Sequence, residues 1–141
     1  MPLQIRRVQV WSGETPDRPG AAAAKLAALV RAGADLEFIF TRPNPVKPDT
    51  SVIFLAPISG PEVIEAARGA GLGPAIDVAM LVIEGTNRSG IGYDIMSCLA
   101  VAGINVRGIS ISSLGDRFAA YLALDNPDVA TQAIQILATI D

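Results

Sequence analysis

Two copies of one pattern of apolar and polar positions follow each other along the chain. Residues 5–12 and 75–84 are rich in Val and Ile, which indicates a strand in each copy. A polar loop containing glycine follows, and then a segment with helical spacing of its apolar positions, 21–31 in the first copy. A shift of 70 residues brings the copies into register. Between residues 18 and 39 the identical pairs are Arg18 and Arg88, Gly20 and Gly90, Leu29 and Leu99, Ala32 and Ala102, Gly33 and Gly103, and Ile39 and Ile109.

The rest of each copy predicts two more strands and a closing helix. The expected segments are strands 35–41 and 51–56 with helix 61–70, and strands 105–112 and 118–124 with helix 127–139. Gly33 and Gly103 stand where left-handed glycines end helices, and a proline opens each closing helix. Each copy therefore reads βαββα, and the repeat divides the chain into modules 1–73 and 74–141.

Neither copy contains a fourth strand of its own, so each predicted sheet has an open apolar edge at its first strand. We expect the two first strands to pair antiparallel with each other. One six-stranded sheet in the order 2-3-1-1′-3′-2′ would result, with four helices on one face. The alternative is that the open edges close between two chains of a dimer.

Composition narrows the function classes. Half of the 141 residues are hydrophobic, and the net charge of -3 comes with no basic stripe, so we expect no nucleic-acid partner. No apolar stretch is long enough to span a membrane, and we expect a cytoplasmic protein. The chain has no histidine and a single cysteine, Cys98, which lowers the expectation of catalysis and of a metal site. We expect neither an enzyme nor a bound cofactor.

Two segments carry a family resemblance. Residues 17–20 with the alanine-rich helix after them, and the run Ala-Gly-Ile-Asn-Val-Arg-Gly-Ile-Ser at 102–110, resemble ACT domains, especially the paired ones at the C-terminus of aspartokinases. The resemblance covers nearly the whole chain. It implies an α+β fold of two ferredoxin-like modules with antiparallel sheets, which bind an amino acid or a similar metabolite and regulate an enzyme. Aspartokinases carry a catalytic domain on the same chain, whereas we expect none on this chain.

The resemblance also implies where a ligand would bind. An Asn at the head of the loop before the first helix and the Asn of Gly-Ile-Asn from a neighbouring module grip the ligand in several ACT domains. By position these are Asn87 and Asn105 in the second copy, and Asp17 and Asp35 in the first. The loop residues that complete the candidate site are Arg88, Ser89, Gly90, Ile91, Arg18 and Gly20.

Physical chemistry supports a site there but leaves an alternative. Backbone N–H groups at a helix N-terminus suit a carboxylate. The carboxylates of Asp17 and Asp35 in the first copy would repel the carboxylate of a ligand, so the site in the second copy is favoured. Asn87 and Asp17 are equally well explained as simple helix caps.

The leading hypothesis is an amino-acid-binding regulatory protein, expected as a homodimer that acts on a separate enzyme of amino-acid metabolism. The alternative is an interaction module that assembles with such an enzyme and binds no ligand.

Overall fold

The computed structural model describes residues 2–140, which form eight strands and four helices. In chain order the elements are β1 (Gln4–Val8), β2 (Trp11–Pro16), α1 (Ala21–Arg31), β3 (Phe38–Pro43), β4 (Thr50–Ala56), α2 (Pro61–Gly69), β5 (Gly73–Pro74), β6 (Ala79–Thr86), α3 (Ile91–Val101), β7 (Gly108–Leu114), β8 (Arg117–Leu124) and α4 (Pro127–Leu137). The four helices follow the predicted repeat.

The strands form two antiparallel four-stranded sheets, with the orders β3-β4-β2-β5 and β1-β6-β8-β7. The chain accordingly divides into two compact units. Gln9–Ala75 forms one, here called the first module, and residues 2–8 with 76–140 form the other, the second module. Each has two helices and the βαββα order, so the α+β class of two ferredoxin-like, ACT-type modules is confirmed.

The single six-stranded sheet is not formed. The predicted strand 5–12 is two strands, because the chain leaves one sheet after Val8 and enters the other at Trp11. Its first half does pair antiparallel with the first strand of the second copy, and Ile5 lies opposite Ile83. The predicted boundary at residue 73 therefore assigns the N-terminal strand to the module with which it does not pair.

Both sheets thus obtain a fourth strand from within the chain. In the second module β1 supplies it along β6. In the first module the two-residue strand β5 supplies it along β2, where Trp11 lies opposite Pro74. The open edges at β2 and β6 are therefore closed within one chain, and a second chain is not needed to close them.

Each module has its own apolar core. In the first, Trp11, Leu29, Ile53 and Leu55 pack with residues of α2. In the second, side chains of β6 and β8 pack against α3 and α4. The fully buried members of that core are Leu81, Ile83, Ile95, Leu99, Ala120, Leu122, Leu124, Ala133 and Leu137.

Candidate functional site

The two loops that precede α1 and α3 share one geometry. Each helix begins after a glycine in the left-handed region, with φ 85° at both Gly20 and Gly90. The first residue of each loop also donates a backbone hydrogen bond to a neighbouring turn. The N–H of Asp17 donates to the carbonyl oxygen of Asp49 at 2.9 Å, and that of Asn87 donates to the carbonyl oxygen of Asp116 at 2.7 Å.

Neither Asn87 nor Asp17 caps a helix. The N-cap positions are Gly90 and Gly20, three residues further on, and no side chain of the described residues accepts a hydrogen bond there. α4 differs, because the Asn126 side chain accepts from the N–H of Val129 at 2.9 Å. The capping alternative is therefore wrong for both loops. The first-turn N–H groups of α1 and α3 lack the side-chain partner that α4 has.

Two of the candidate loop residues, Arg88 and Ile91, already have their side chains engaged within the module. The guanidinium of Arg88 pairs with the Asp94 carboxylate at 2.6 Å, in the first turn of α3. Ile91 is buried in the core, so only its backbone faces the loop, and its N–H donates to the carbonyl oxygen of Arg88. Ser89 and Gly90 are exposed.

The first module lacks the equivalent ion pair. The repeat aligns Asp94 with Ala24, and α1 has no acidic residue in its first turn. Arg18 is exposed, and the ion pairs found among residues 2–140 do not include it. Its guanidinium is therefore available to an anion.

Asn105 and Asp35 lie at the other ends of the same helices. Both belong to loops that follow α3 and α1, because β7 and β3 begin three residues later than expected, at Gly108 and Phe38. An eleven-residue helix is about 16 Å long. The structure therefore does not bring Asn87 and Asn105 together within one module, and the same holds for Asp17 and Asp35.

Asp35 borders a shallow groove of about 370 Å³ in the first module. The groove is lined by Gly33, Ala34, Asp35, Glu37, Pro57, Ser59 and Val63. Its walls belong to the loops that follow α1 and β4 and to the first turn of α2, so it opens at the end of the module opposite the loop of Gly20.

Thr15 is the buried polar residue among residues 2–140, and the sequence analysis did not single it out. It is 3% exposed, and its hydroxyl has no hydrogen-bond partner among residues 2–140. Leaving such a group unpaired costs about 1–3 kcal/mol. The signal available was its place in the alternation from Trp11 through Gly13, which directs it inward.

The sequence matches no protein-family model and no curated protein sequence. Solved structures do resemble the fold. Protein BT0572 from Bacteroides thetaiotaomicron gives a TM-score of 0.77 at 12% identity, over 94% of this chain and 88% of that one. The regulatory subunit of aspartate kinase from Thermus thermophilus, in its ligand-free form, gives a TM-score of 0.68 at 18% identity, over 99% of this chain and 97% of that one. The regulatory subunit of aspartate kinase from Thermus flavus gives a TM-score of 0.63 at 17% identity, over 97% of this chain and 95% of that one.

These similarities establish the fold. The two aspartate kinase structures are regulatory subunits, and each is matched over nearly its whole length. No helix in the described part of this chain is both long and apolar enough to cross a membrane.

Proposed function

We propose that this protein is a regulatory protein whose ACT-type modules bind an amino acid. The proposal rests on the way in which both α1 and α3 begin. Two helices start at a left-handed glycine, without a side-chain cap, directly after a polar loop. The first N–H of each helix, of Ala21 and Ile91, donates to the carbonyl oxygen of Arg18 and Arg88. The remaining first-turn N–H groups and the positive end of the helix dipole together attract a carboxylate.

The side chains around the two loops suit the other end of an amino acid. The amide oxygen of Asn87 and the carboxylate of Asp17, at the heads of the two loops, can accept hydrogen bonds from an ammonium group. Asn105 and Asp35 offer the same groups at the far ends of α3 and α1. All four residues are exposed. A zwitterion thus finds donors at the helix and acceptors beside it.

A ligand held by both Asn87 and Asn105 would need two modules. Within one module they flank α3, about 16 Å apart along its axis. We propose that Asn87 of one chain and Asn105 of another copy of the chain hold the ligand together, so that the binding form is a homodimer. The regulated enzyme is then a separate protein of amino-acid metabolism.

A thermal-shift screen of the twenty amino acids tests the proposal. A ligand at one hundred times its dissociation constant stabilises a protein by about 2.7 kcal/mol. For a chain of this size that raises the midpoint of unfolding by roughly 5–10 °C. Twenty flat curves at millimolar concentration would contradict amino-acid binding.

An interaction module that binds no ligand is the second candidate. It is favoured by the edge strand β7, whose residues 108–114 include neither a charge nor a proline. Leu114 at its end is 87% exposed. Edges of this kind accept a strand from a partner. Ligand-independent co-purification with one enzyme, together with a flat ligand screen, would favour this second function.

A further inference from the structure

The outward side of α3, in the second module, has an apolar surface. The inward side of this helix lies in the core, where its buried residues pack. On the outward side Tyr93 is 75% exposed and Val101 is 88% exposed. Between them Ala100 is exposed and Ser97 is half-buried. Residues 93, 97, 100 and 101 have the spacing of one helix face, so they form a continuous strip, here called the outer stripe of α3.

The helices of the first module are far more polar on their surface. α1 and α2 have five charged residues, which are Lys25, Arg31, Glu62, Glu65 and Arg68. α3 and α4 have only Asp94 and Asp128, and each of these lies in the first turn of its helix. The repeat aligns the exposed Val101 with Arg31. Since a solvated helix face normally carries charges, the outer stripe is typical of a contact surface.

The outer stripe suits a second copy of the same chain. In a two-fold contact a residue on the axis meets the same residue of the other copy, so a charge there would repel itself. The outer stripe contains no charged residue. A strongly charged partner, in contrast, would find no group of opposite sign on it.

The sizes of the side chains also match in an antiparallel contact centred on Ser97. Tyr93 and Val101 each lie four residues from Ser97, which is about 6 Å along the helix axis. Antiparallel pairing therefore brings Tyr93 of one copy to the level of Ala100 and Val101 of the other. At that level an apolar groove of about 360 Å³ opens between α3 and α4, lined by Ser97, Cys98, Val101, Ala102 and Ile136.

We propose that the outer stripe of α3 is the contact surface of a homodimer, in which two α3 helices cross antiparallel at Ser97. The Tyr93 ring of each copy enters the groove beside α3 of the other. The contact goes beyond the proposed function, because it depends on no ligand. It also gives the proposed homodimer a surface, since antiparallel helices place the loop before α3 of one chain beside the loop after α3 of the other.

Sedimentation equilibrium of the parent chain, from low to high micromolar concentration, measures the dimer. A contact between two short helices is smaller than a standard interface, so we expect a dissociation constant in the micromolar range. Ser97→Glu places like charges on the two-fold axis and should weaken the dimer at least ten-fold. Ala27→Glu makes the same change in charge at the aligned position of α1 and should sediment as the parent does.

Tyr93→Ala is the second variant, and it removes a ring that is exposed in the single chain. It should also weaken the dimer about ten-fold, because aromatic side chains contribute strongly to interfaces. Its circular dichroism spectrum should match that of the parent, since the ring does not belong to the core of the module.

Disulfide cross-linking tests the antiparallel arrangement. Ser97→Cys in a Cys98→Ser background puts one thiol of each copy on the two-fold axis, and oxidation should yield a covalent dimer linked through position 97. Ala27→Cys in the same background is the matched control and should remain without a cross-link.

The outcomes separate this proposal from the proposed function. A parent chain that stays monomeric, or a dimer that neither Ser97→Glu nor Tyr93→Ala weakens more than Ala27→Glu does, would overturn the α3 contact even if an amino acid binds. A dimer that gives no cross-link at position 97 would overturn the antiparallel arrangement. A dimer weakened by both α3 variants would support the contact, and a flat amino-acid screen would then contradict the proposed function alone.

Discussion

Phe118 lies directly opposite Gly85 across β6 and β8, and its ring occupies the space that a side chain at Gly85 would need. Gly85→Ala should therefore destabilise the second module by about 1–3 kcal/mol, since a buried ring must leave its position. Chemical denaturation measures the loss. Gly108→Ala is the matched control, because its Cβ would meet Ala123 at an ordinary 4.0 Å. Equal stability of the two variants would contradict the packing described.

Deletion of residues 1–8 should loosen the second module and leave the first intact. β1 covers the edge of β6, and Leu3 and Ile5 pack against the second core. Without them the β6 amides that now pair with β1 face solvent. Hydrogen exchange should show faster exchange in β6 and unchanged exchange in β4. Unaltered protection of β6 would mean that β1 does not belong to this sheet.

Asn126 should stabilise the chain as the side-chain cap of α4. Its amide oxygen accepts from the Val129 N–H, so Asn126→Ala should cost about 1 kcal/mol. Asn126→Ser keeps an oxygen at this position and should lose only a few tenths of that. Thermal unfolding of the two variants provides the measurement, and an alanine variant as stable as the parent would exclude the cap.

The repeat explains why most elements could be predicted. Gly33 and Gly103 have the positive φ values, 93° and 75°, expected of glycines that end helices. The strand break at residues 9 and 10 could not be predicted, because Val8 and Val10 continue the alternation of a single strand. The break is marked by tertiary hydrogen bonds, which the sequence does not show. The Gln9 amide donates to the carbonyl oxygens of Val10 and Ala75, and the Ala75 N–H donates to that of Val10.

The candidate site was predictable only in part. The sequence placed Asn87 and Asp17 in loops before helices, which is where they lie. It could not decide whether they cap those helices, because capping depends on which residue holds the left-handed turn, here Gly90 and Gly20. The missing partner of Thr15 was likewise invisible, since hydrogen-bond satisfaction depends on the folded neighbours.

The helix geometry turns Asn87→Ala into a direct test of ligand contact in the second module. Its side chain is exposed and does not cap α3, so the substitution should change stability by no more than about 0.5 kcal/mol. The backbone bond from Asn87 to Asp116 survives it. If the amide grips the ligand, affinity for the best amino acid falls about ten-fold, or roughly 1.4 kcal/mol.

Asn105→Ala, at the opposite end of α3, should weaken the same binding event by a similar factor if a second copy of the chain completes the site. Titration calorimetry with each variant measures both, and Gln135→Ala, which removes an exposed amide from α4, serves as the control. Dilution to the monomer should then lower the affinity of the parent chain as well, because neither Asn alone holds the ligand. If both Asn variants bind as tightly as the Gln135 control, the assignment of these residues is wrong, whatever the fold.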